Sequence, residues 1–473
     1  MRIAFVTFGC RLNRAESLDL EALMSASGHE IIPLPAGSDP IDASACPLGA
    51  VPTCLPDLII VRGCSVTAKA QRDCEKAIEH LRRRFPNAQI AITGCLPNAT
   101  PLPYLSKGSD LTIPRGQTPI SPPIKGPDPV PQWGQTLVPT STSRAYLKIQ
   151  DGCNGKCAFC IVPHFRGPSV SIPLADIIAR ARSFIAAGYG EIVVTGCNLS
   201  LYNSNGTNLP SLLNILADLS PLGSDPTEAS GAAPTETSGS APTEASGAAP
   251  TETSGSDPTK TASRHRIRLG SLEPGILNSQ ILDVFEKHQN ICRFLHLSIQ
   301  SGSDRILSAM NRPYRIKSVA DFIKSMRKRL GSHIMFGADI ITGFPGETIE
   351  DFNATRSFLE DNDFTNVHAF PFSERPGTPA ATMAGSVPMD ARRERARAII
   401  EDAAGRRRRF ARSFIGREVE VCVESGGDHG WTNEYLQMRL ASPRPRRSLV
   451  RTAVAAARDD ILLELPIDSR QRI

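Results

Sequence analysis

The sequence predicts an α/β protein in three parts: an N-terminal parallel α/β domain, a central partial (β/α)6 barrel, and a small C-terminal β-barrel. Two observations, the apolar runs and the amphipathic stretches between them, predict the first two parts. Short, mostly apolar runs alternate with amphipathic helical stretches as far as about residue 375. That is the pattern of strands buried on both faces and joined by helical crossovers. A third observation predicts the last part: from Glu418 onward the helical pattern gives way to short strands separated by turn residues.

Residues 1–120 form the first domain. Its strands are Ile3–Phe8, Leu58–Val61 and Ile90–Thr93, and its helices include Glu16–Ser27 and Lys69–Phe85. The strands run out into Gly9-Cys10, Gly63-Cys64 and Gly94-Cys95. Ligands of parallel sheets bind beyond the carboxyl ends of the strands, so these three thiols gather along one edge. We read Cys10, Cys64 and Cys95 as a three-thiolate iron–sulfur site. The plainer role of a cysteine, a small buried hydrophobe, suits Cys74, Cys292 and Cys422. Cys46 and Cys54, in the Pro/Gly/Ala-rich stretch Ser44–Pro56, read as loop thiols and compete for the position of Cys64.

Residues 96–140 are rich in proline, and 121–140 are expected to be a linker. The barrel domain spans 141–385. Its strands are Ala145–Ile149, Glu191–Thr195, Arg266–Gly270, Phe294–Gln300, Met335–Thr342 and Asn366–Phe370. Between them lie helices Pro173–Ala187, Leu209–Leu219, Asn278–Lys287, Lys317–Arg329 and Ile349–Asn362. Six such units place a site at the carboxyl mouth of the strands. An insert at 222–262 interrupts them with an eight-residue Pro-Thr-Glu repeat lacking large apolar residues. Such a segment cannot bury enough surface to order itself, and it is assigned no catalytic role.

The most specific feature is Cys153-Asn-Gly-Lys-Cys157-Ala-Phe-Cys160. Three thiolates on one tight loop suit a [4Fe–4S] cluster with one iron left open to a ligand. A closed cluster needs a fourth cysteine, and none follows before Cys197. The alternative is a structural zinc site completed by His164.

Twelve cysteines in a chain without an apolar run of membrane length point to metal ligation in a reducing, cytoplasmic setting. The opening MRIAFVTFGC is too short in apolar residues for a signal peptide. A net charge of +5 does not by itself identify a polyanionic partner. Its distribution is more telling. Residues 388–417 read as an arginine-laden helix, forming most of a 386–412 unit before the 413–473 β domain. Arg406, Arg407, Arg408 and Arg409 are consecutive and outnumber their acidic neighbours, which favours a nucleic-acid phosphate contact over a merely solvated face.

Together these residues resemble the radical S-adenosylmethionine (SAM) methylthiotransferases. The resemblance rests on Thr7-Phe-Gly-Cys10-Arg-Leu-Asn-Arg-Ala-Glu-Ser, Gly63-Cys64-Ser-Val-Thr-Ala-Lys-Ala, Thr93-Gly-Cys95, the Cys153 loop, Arg268-Leu-Gly-Ser-Leu-Glu-Pro274, His296-Leu-Ser-Ile-Gln-Ser-Gly-Ser-Asp and Asp339-Ile-Ile-Thr-Gly-Phe-Pro-Gly-Glu-Thr. It spans nearly the whole chain apart from 36–56, 96–135 and 222–262. The tail with Gly430-Trp-Thr-Asn-Glu-Tyr-Leu resembles their RNA-binding TRAM module. Ser271-Leu-Glu-Pro and Phe370-Pro-Phe-Ser-Glu-Arg-Pro-Gly-Thr-Pro are most similar to the branch acting on N6-threonylcarbamoyladenosine beside the tRNA anticodon. Arg62-Gly63 departs from the family's Asn-Thr, and Cys197 stands where an apolar residue is common.

The resemblance implies two [4Fe–4S] clusters: one on Cys153, Cys157 and Cys160 that cleaves bound SAM, and an auxiliary one on Cys10, Cys64 and Cys95 that holds sulfur. It implies SAM or substrate contacts at Thr195, Gly196, Glu273, Gln300 and Ser301. It also implies tRNA methylthiolation at carbon 2 of the base at position 37, a flavodoxin-type electron donor, no membrane partner and a monomer. Isopentenyladenosine in tRNA or a ribosomal protein are alternative substrates, and a zinc RNA-binding protein without turnover is the non-enzymatic alternative.

Overall fold

The structure is a computed structural model that describes residues 1–34, 55–96, 109–113, 138–139, 141–219 and 265–464. Cys46, Cys54, the repeat insert and nearly all of the expected linker lie outside the described residues.

The first sheet is parallel throughout. Strands β1 (Arg2–Thr7), β2 (Leu58–Gly63) and β3 (Gln89–Gly94) are its centre, flanked by the two-residue edges Glu30–Ile31 and Leu111–Thr112. Helices α1 (Arg11–Ala26) and α2 (Ala68–Arg84) cover opposite faces. β2 is therefore buried at every position, with Ile59 and Val61 facing Ile78 and Leu81, while Leu58 and Ile60 face Leu20 and Met24. Both crossovers return the chain to the same edge, where Cys10, Cys64 and Cys95 follow the strands.

The second part begins with β4 (Ala145–Asp151), α3 (Val162–Arg166), α4 (Leu174–Ala186), β5 (Glu191–Gly196) and α5 (Leu209–Ala217). It continues through β6 (Arg266–Leu269), α6 (Ser279–Lys287), β7 (Phe294–Gln300), α7 (Asp304–Ala309), α8 (Ile316–Leu330), β8 (Met335–Thr342), α9 (Ile349–Asp361) and β9 (Phe364–Pro371). β4, β5 and β6 pair in parallel, and so do β7, β8 and β9. The join is Gly270: beyond it the chain of β6 continues as Ser271–Leu272, which pairs with β7. A side chain at Gly270 would meet the Val194 carbonyl at 3.0 Å, so the bend there favours glycine. The six parallel strands thus run β4-β5-β6-β7-β8-β9. β9 is an edge, and at the other end Val170–Ser171 adds antiparallel to β4. Helix-facing residues such as Leu147, Val194, Leu269, Leu297, Phe336 and Ala338 form one core with α4 to α9.

Helix α10 (Met389–Arg412) closes the open side of β9 by burying Ala396, Ile399 and Ala403 in that core. The tail holds six strands: β10 (Glu418–Val423), β11 (His429–Thr432), β12 (Gln437–Arg439), β13 (Leu449–Ala453), β14 (Ala456–Arg458) and β15 (Ile461–Leu463). They form one curled sheet in the order β13-β10-β11-β12-β15-β14. Val421, Val423, Leu436, Met438 and Leu462 share a core with Phe294 and Met335 at the amino ends of β7 and β8.

A buried polar hub fixes this docking. Glu191 at the start of β5 accepts from Arg266 Nε (2.8 Å) and Arg268 Nε (2.7 Å). The same guanidinium groups donate onward to the carbonyls of Glu420 (2.9 Å), Trp431 (2.6 Å) and Thr432 (2.8 Å). Burial alone would raise the Glu191 carboxyl, but the two arginines outweigh it and hold it far below the ordinary carboxylate range.

Candidate functional site

The loop from Cys153 to Cys160 is pinned at both ends by backbone bonds. Cys153 N donates to Gly167 O (3.1 Å) and Ala158 N to Met310 O (2.9 Å), while Ala158 O accepts from Ala380 N (2.8 Å). Gly155 keeps the centre of the loop open: a methyl group there would lie 3.2 Å from Cys153 Sγ and 3.8 Å from Cys157 Sγ. Arg312 Nη1 donates to Cys157 Sγ (3.2 Å), Asn198 Nδ2 to Cys153 Sγ (3.7 Å) and Gly155 N to Cys153 Sγ (3.3 Å). Donors aimed at sulfur stabilise thiolates. Without a cation, burial pushes the Cys160 thiol up to about 12 and raises Cys157 as well, the latter opposed by Arg312. Cys153 and Cys157 are both within electrostatic reach of Cys160.

The second trio meets at the sheet edge. Cys64 and Cys95 are buried, Cys10 is exposed, and Cys64 feels both other thiols. Burial pushes Cys64 up to about 11. Gly9, at φ +96°, brings the backbone beside it, since a Cβ there would sit 3.0 Å from Cys64 Sγ. Asn13 ties the edge together by donating to the carbonyls of Phe8 (2.8 Å) and Gly63 (3.2 Å).

Three thiols apiece are the donor set that a [4Fe–4S] cluster with one open iron takes. A single zinc with Zn–S bonds of about 2.3 Å would draw its sulfurs to within about 4 Å of one another. Among the described residues, the trio of candidate ligand atoms all within 4.8 Å is His296, Asp339 and His368, and neither cysteine trio is that tight. His164 is exposed on α3.

The two trios lie on adjoining elements. Cys95 packs against Ile161 and Phe165, one and five residues after Cys160 in the chain. Arg166, on the same short helix, hydrogen-bonds the Cys95 thiol, Asn13 Oδ1 (2.8 Å), Glu16 Oε1 (3.0 Å) and Asp151 Oδ1 (3.0 Å). Glu16 also accepts from Lys148 (2.7 Å) and Arg62 (2.9 Å). Burial works against its charge, but Lys148, Arg166 and Arg62 together hold it well below the ordinary range. Arg62, which departs from the family pattern, is thus absorbed in the seam joining the two domains. Cys197 is half-buried, and burial pushes its thiol up.

The residues expected at the SAM pocket divide. Thr195 is buried at the end of β5, and a Cβ on Gly196 would lie 3.1 Å from Gln150 O and Oε1. Glu273 is paired with Arg312, which also touches Cys157, so this carboxylate is tied to the cluster loop. Gln300 ends β7 at φ +70°, where the ladder to β8 shifts register. A non-glycine residue held there is strained and needs its surroundings to hold it. Ser301 is a correction: it is fully buried behind the strand, 3.3 Å from Thr355 Oγ1 and accepting from Ser303 N (3.2 Å), so it does not face the mouth.

The arginine run also needs correction. Arg406 is buried and donates to Phe364 O (2.8 Å). Arg407 pairs with Asp460 (2.6 Å) and donates to Tyr435 O (3.0 Å). Both are structural, whereas Arg408 and Arg409 are exposed. Gly343 in Gly343-Phe-Pro-Gly346 turns (φ +69°) against Arg392, whose Cγ a Cβ would meet at 2.3 Å, so packing explains it. Sequence reading missed Arg312, Arg166, Asn198 and Glu16, because their partners are distant in the chain and no local spacing marks them.

Comparison with known proteins agrees with this geometry. Residues 147–359 match the Radical SAM superfamily and 53–112 match Uncharacterized protein family UPF0004. The chain is 28% identical over 452 residues to Threonylcarbamoyladenosine tRNA methylthiotransferase MtaB of Rickettsia prowazekii, covering 93% of this chain and 91% of that one. It is 28% identical to the Thermotoga maritima protein of the same name, with the same coverage. It is also 28% identical to the tRNA-2-methylthio-N(6)-dimethylallyladenosine synthase of Mycobacterium leprae, over 89% of this chain and 75% of that one. In fold it resembles the radical S-adenosylmethionine methyltransferase TsrM of Kitasatospora setae, at a TM-score of 0.50 and 14% identity, over 80% of this chain and 74% of that one. No helix among the described residues is long and apolar enough to cross a membrane. The chain thus carries a radical SAM domain and is similar over most of its length to the MtaB-like methylthiotransferases; it is a transferase whose cofactors are SAM and [4Fe–4S] clusters.

Proposed function

We propose that this enzyme methylthiolates tRNA, at carbon 2 of N6-threonylcarbamoyladenosine in position 37 beside the anticodon. The observation that carries the reading is the packing of Cys95, from one three-thiol group, against Ile161 and Phe165, just past the loop that bears the other. When loaded, the Cys153/Cys157/Cys160 cluster supplies one-electron cleavage of SAM, and the Cys10/Cys64/Cys95 cluster supplies the sulfur to be transferred.

The protein's own residues position and insulate. Arg312 links Glu273 to Cys157, so the carboxylate-bearing wall of the SAM pocket moves with the loop. Arg166 and Glu16 lock the thiol-bearing edge of the first domain to α3 and β4. Thr195 and Gly196 offer the methionine end of SAM a close-packed strand terminus. The Rickettsia prowazekii and Thermotoga maritima relatives favour the threonylcarbamoyl base, and isopentenyladenosine is the second reading because the Mycobacterium leprae protein is equally identical. The tRNA is held by the exposed Arg408 and Arg409 and by the TRAM-like sheet. A flavodoxin-type donor, a monomeric state and a cytoplasmic setting complete the reading.

The deciding experiment is mass spectrometry of tRNA nucleosides from a strain lacking the gene. The 2-methylthio form of threonylcarbamoyladenosine should vanish and return on complementation. Its persistence, with a ribosomal protein losing the modification instead, would refute the tRNA assignment. A second expected outcome concerns electrostatics. Replacing Arg408 and Arg409 together by alanine should weaken tRNA binding and reduce the slope of log K against log salt by about 1.5 to 2, with SAM cleavage unaffected. An unaltered slope would remove these residues from the interface.

A further inference from the structure

One group of side chains inside the barrel has no part in the account above. His296 on β7, Asp339 on β8 and His368 on β9 share a face, because His296 is paired with Gly337 and Asp339 with His368 across parallel ladders. Asp339 Oδ1 lies 3.0 Å from His296 Nε2 and 3.4 Å from His368 Nδ1. Exposure rises along the series, from 3% for the His296 side chain to 25% for Asp339 and 53% for His368. Two residues further on the same face stands Phe370, its ring centroid 6.4 Å from that of His368. Phe370 is 45% exposed and, among the described residues, is the one exposed phenylalanine, with no tyrosine or tryptophan exposed.

The position matters as much as the exposure. Ile341, the partner of Phe370 across the ladder, packs against the apolar cluster that includes Ala158 of the cluster loop. Just past the end of β9, Ser373 Oγ accepts from Ala68 N (3.2 Å), and Arg375 donates to Gln71 (3.0 Å). These contacts hold the start of α2, a few residues after Cys64, at the same end of the strand. Phe370 therefore lies near both the Cys153–Cys160 loop and the segment that follows Cys64. α10 covers the open side of β9, yet His368 and Phe370 on its inner face remain exposed.

We propose that Phe370 and His368 form the seat of the target base, with the purine ring stacked on Phe370 and its edge hydrogen-bonded by the His368 imidazole. Asp339 and His296 act as positioning residues that hold that imidazole in one orientation. The proposal rests on the tRNA reading above. Every base offers a π-face to an aromatic side chain, while an oriented ring nitrogen adds selection of the edge. An unactivated C–H must be held in one place for radical abstraction, and a fixed ring plane does this.

The test uses the reconstituted holoenzyme, full-length tRNA, and the variants Phe370→Ala, Phe370→Tyr and Asp339→Asn. Phe370→Ala should raise the KM for tRNA by about 10- to 100-fold and should increase 5′-deoxyadenosine formed per methylthio group transferred. Phe370→Tyr should restore both. Asp339→Asn should raise the uncoupled fraction with a smaller change in KM. The electron paramagnetic resonance signal of the reduced, SAM-bound cluster should be the same in all. If wild-type enzyme modifies tRNA while Phe370→Ala keeps its KM and coupling, the seat is wrong and the tRNA reading stands. If wild type modifies only a protein, both fall. A stoichiometric divalent ion beyond the cluster iron, lost in Asp339→Asn, would make the trio a metal site and also overturn the proposal.

Discussion

Replacing Cys95 by alanine should separate the two halves of the reaction. The variant should still cleave SAM to 5′-deoxyadenosine at near the wild-type rate, yet transfer no methylthio group. Cys157→Ala should abolish both activities. The reasoning is geometric: Cys95 is buried against Ile161 and Phe165 but belongs to the first sheet, whereas Cys157 lies on the loop bridged by Arg312 to Glu273. Removing one of three thiolates leaves a cluster two ligands, which cannot hold it in place. The other trio keeps its own anchors. Chromatographic quantitation of 5′-deoxyadenosine beside mass spectrometry of the product measures both halves in one reaction. Loss of SAM cleavage in Cys95→Ala, with the fold intact, would mean that the two trios do not work as separate centres.

The second large effect concerns stability. Glu191→Gln should destabilise the folded protein by about 3–5 kcal/mol, because it leaves Arg266 and Arg268 buried without their counter-charge. Both arginines hold the tail sheet through backbone carbonyls, so the loss should show first as undocking of residues 413–464. Chemical denaturation at neutral pH measures it. The pH dependence has a definite sign. Glu191 is depressed in the folded state, so its contribution is present above the ordinary glutamate pKa of about 4.3 and is lost as pH falls through the lower folded value. The gap between wild type and Glu191→Gln should therefore be widest at neutral pH and narrow in acid. A constant gap from neutral pH down to pH 3 would mean that packing, not charge, makes the difference.

Much of this architecture was legible in the sequence where the signal is local. Strands Phe294–Gln300 and Met335–Thr342 were read to the residue, because apolar runs flanked by sharp turn signals leave little choice of boundary. The Gly-Cys pairs after Leu58–Val61 and Ile90–Thr93 could be placed because parallel strands put their carboxyl ends on one edge. In the tail, His429–Thr432 and Ala456–Arg458 were not seen, since strands of three or four residues with polar or small side chains carry no clear alternation.

Long-range pairing was the harder matter. Arg166 finds Glu16 across 150 positions and Arg312 finds Cys157 across 155, and nothing near either residue announces its partner. The arginine run failed for a different reason. Successive residues of an α-helix are about 100° apart, so four in a row circle the axis and cannot share one face. Arg406 and Arg407 turn inward, leaving Arg408 and Arg409 for solvent. Ser301 was misplaced because Gln300 reverses the backbone just before it, at φ +70°.

The central claim is that six cysteines form two separate three-thiolate centres. Iron and acid-labile sulfide analysis after anaerobic reconstitution tests it most directly, on wild type and on two variants with either trio changed to alanine. The account predicts about eight irons per chain for wild type and about four for each variant. Four irons in wild type, all lost with the Cys153 trio and unaffected by changing Cys10, Cys64 and Cys95, would contradict it.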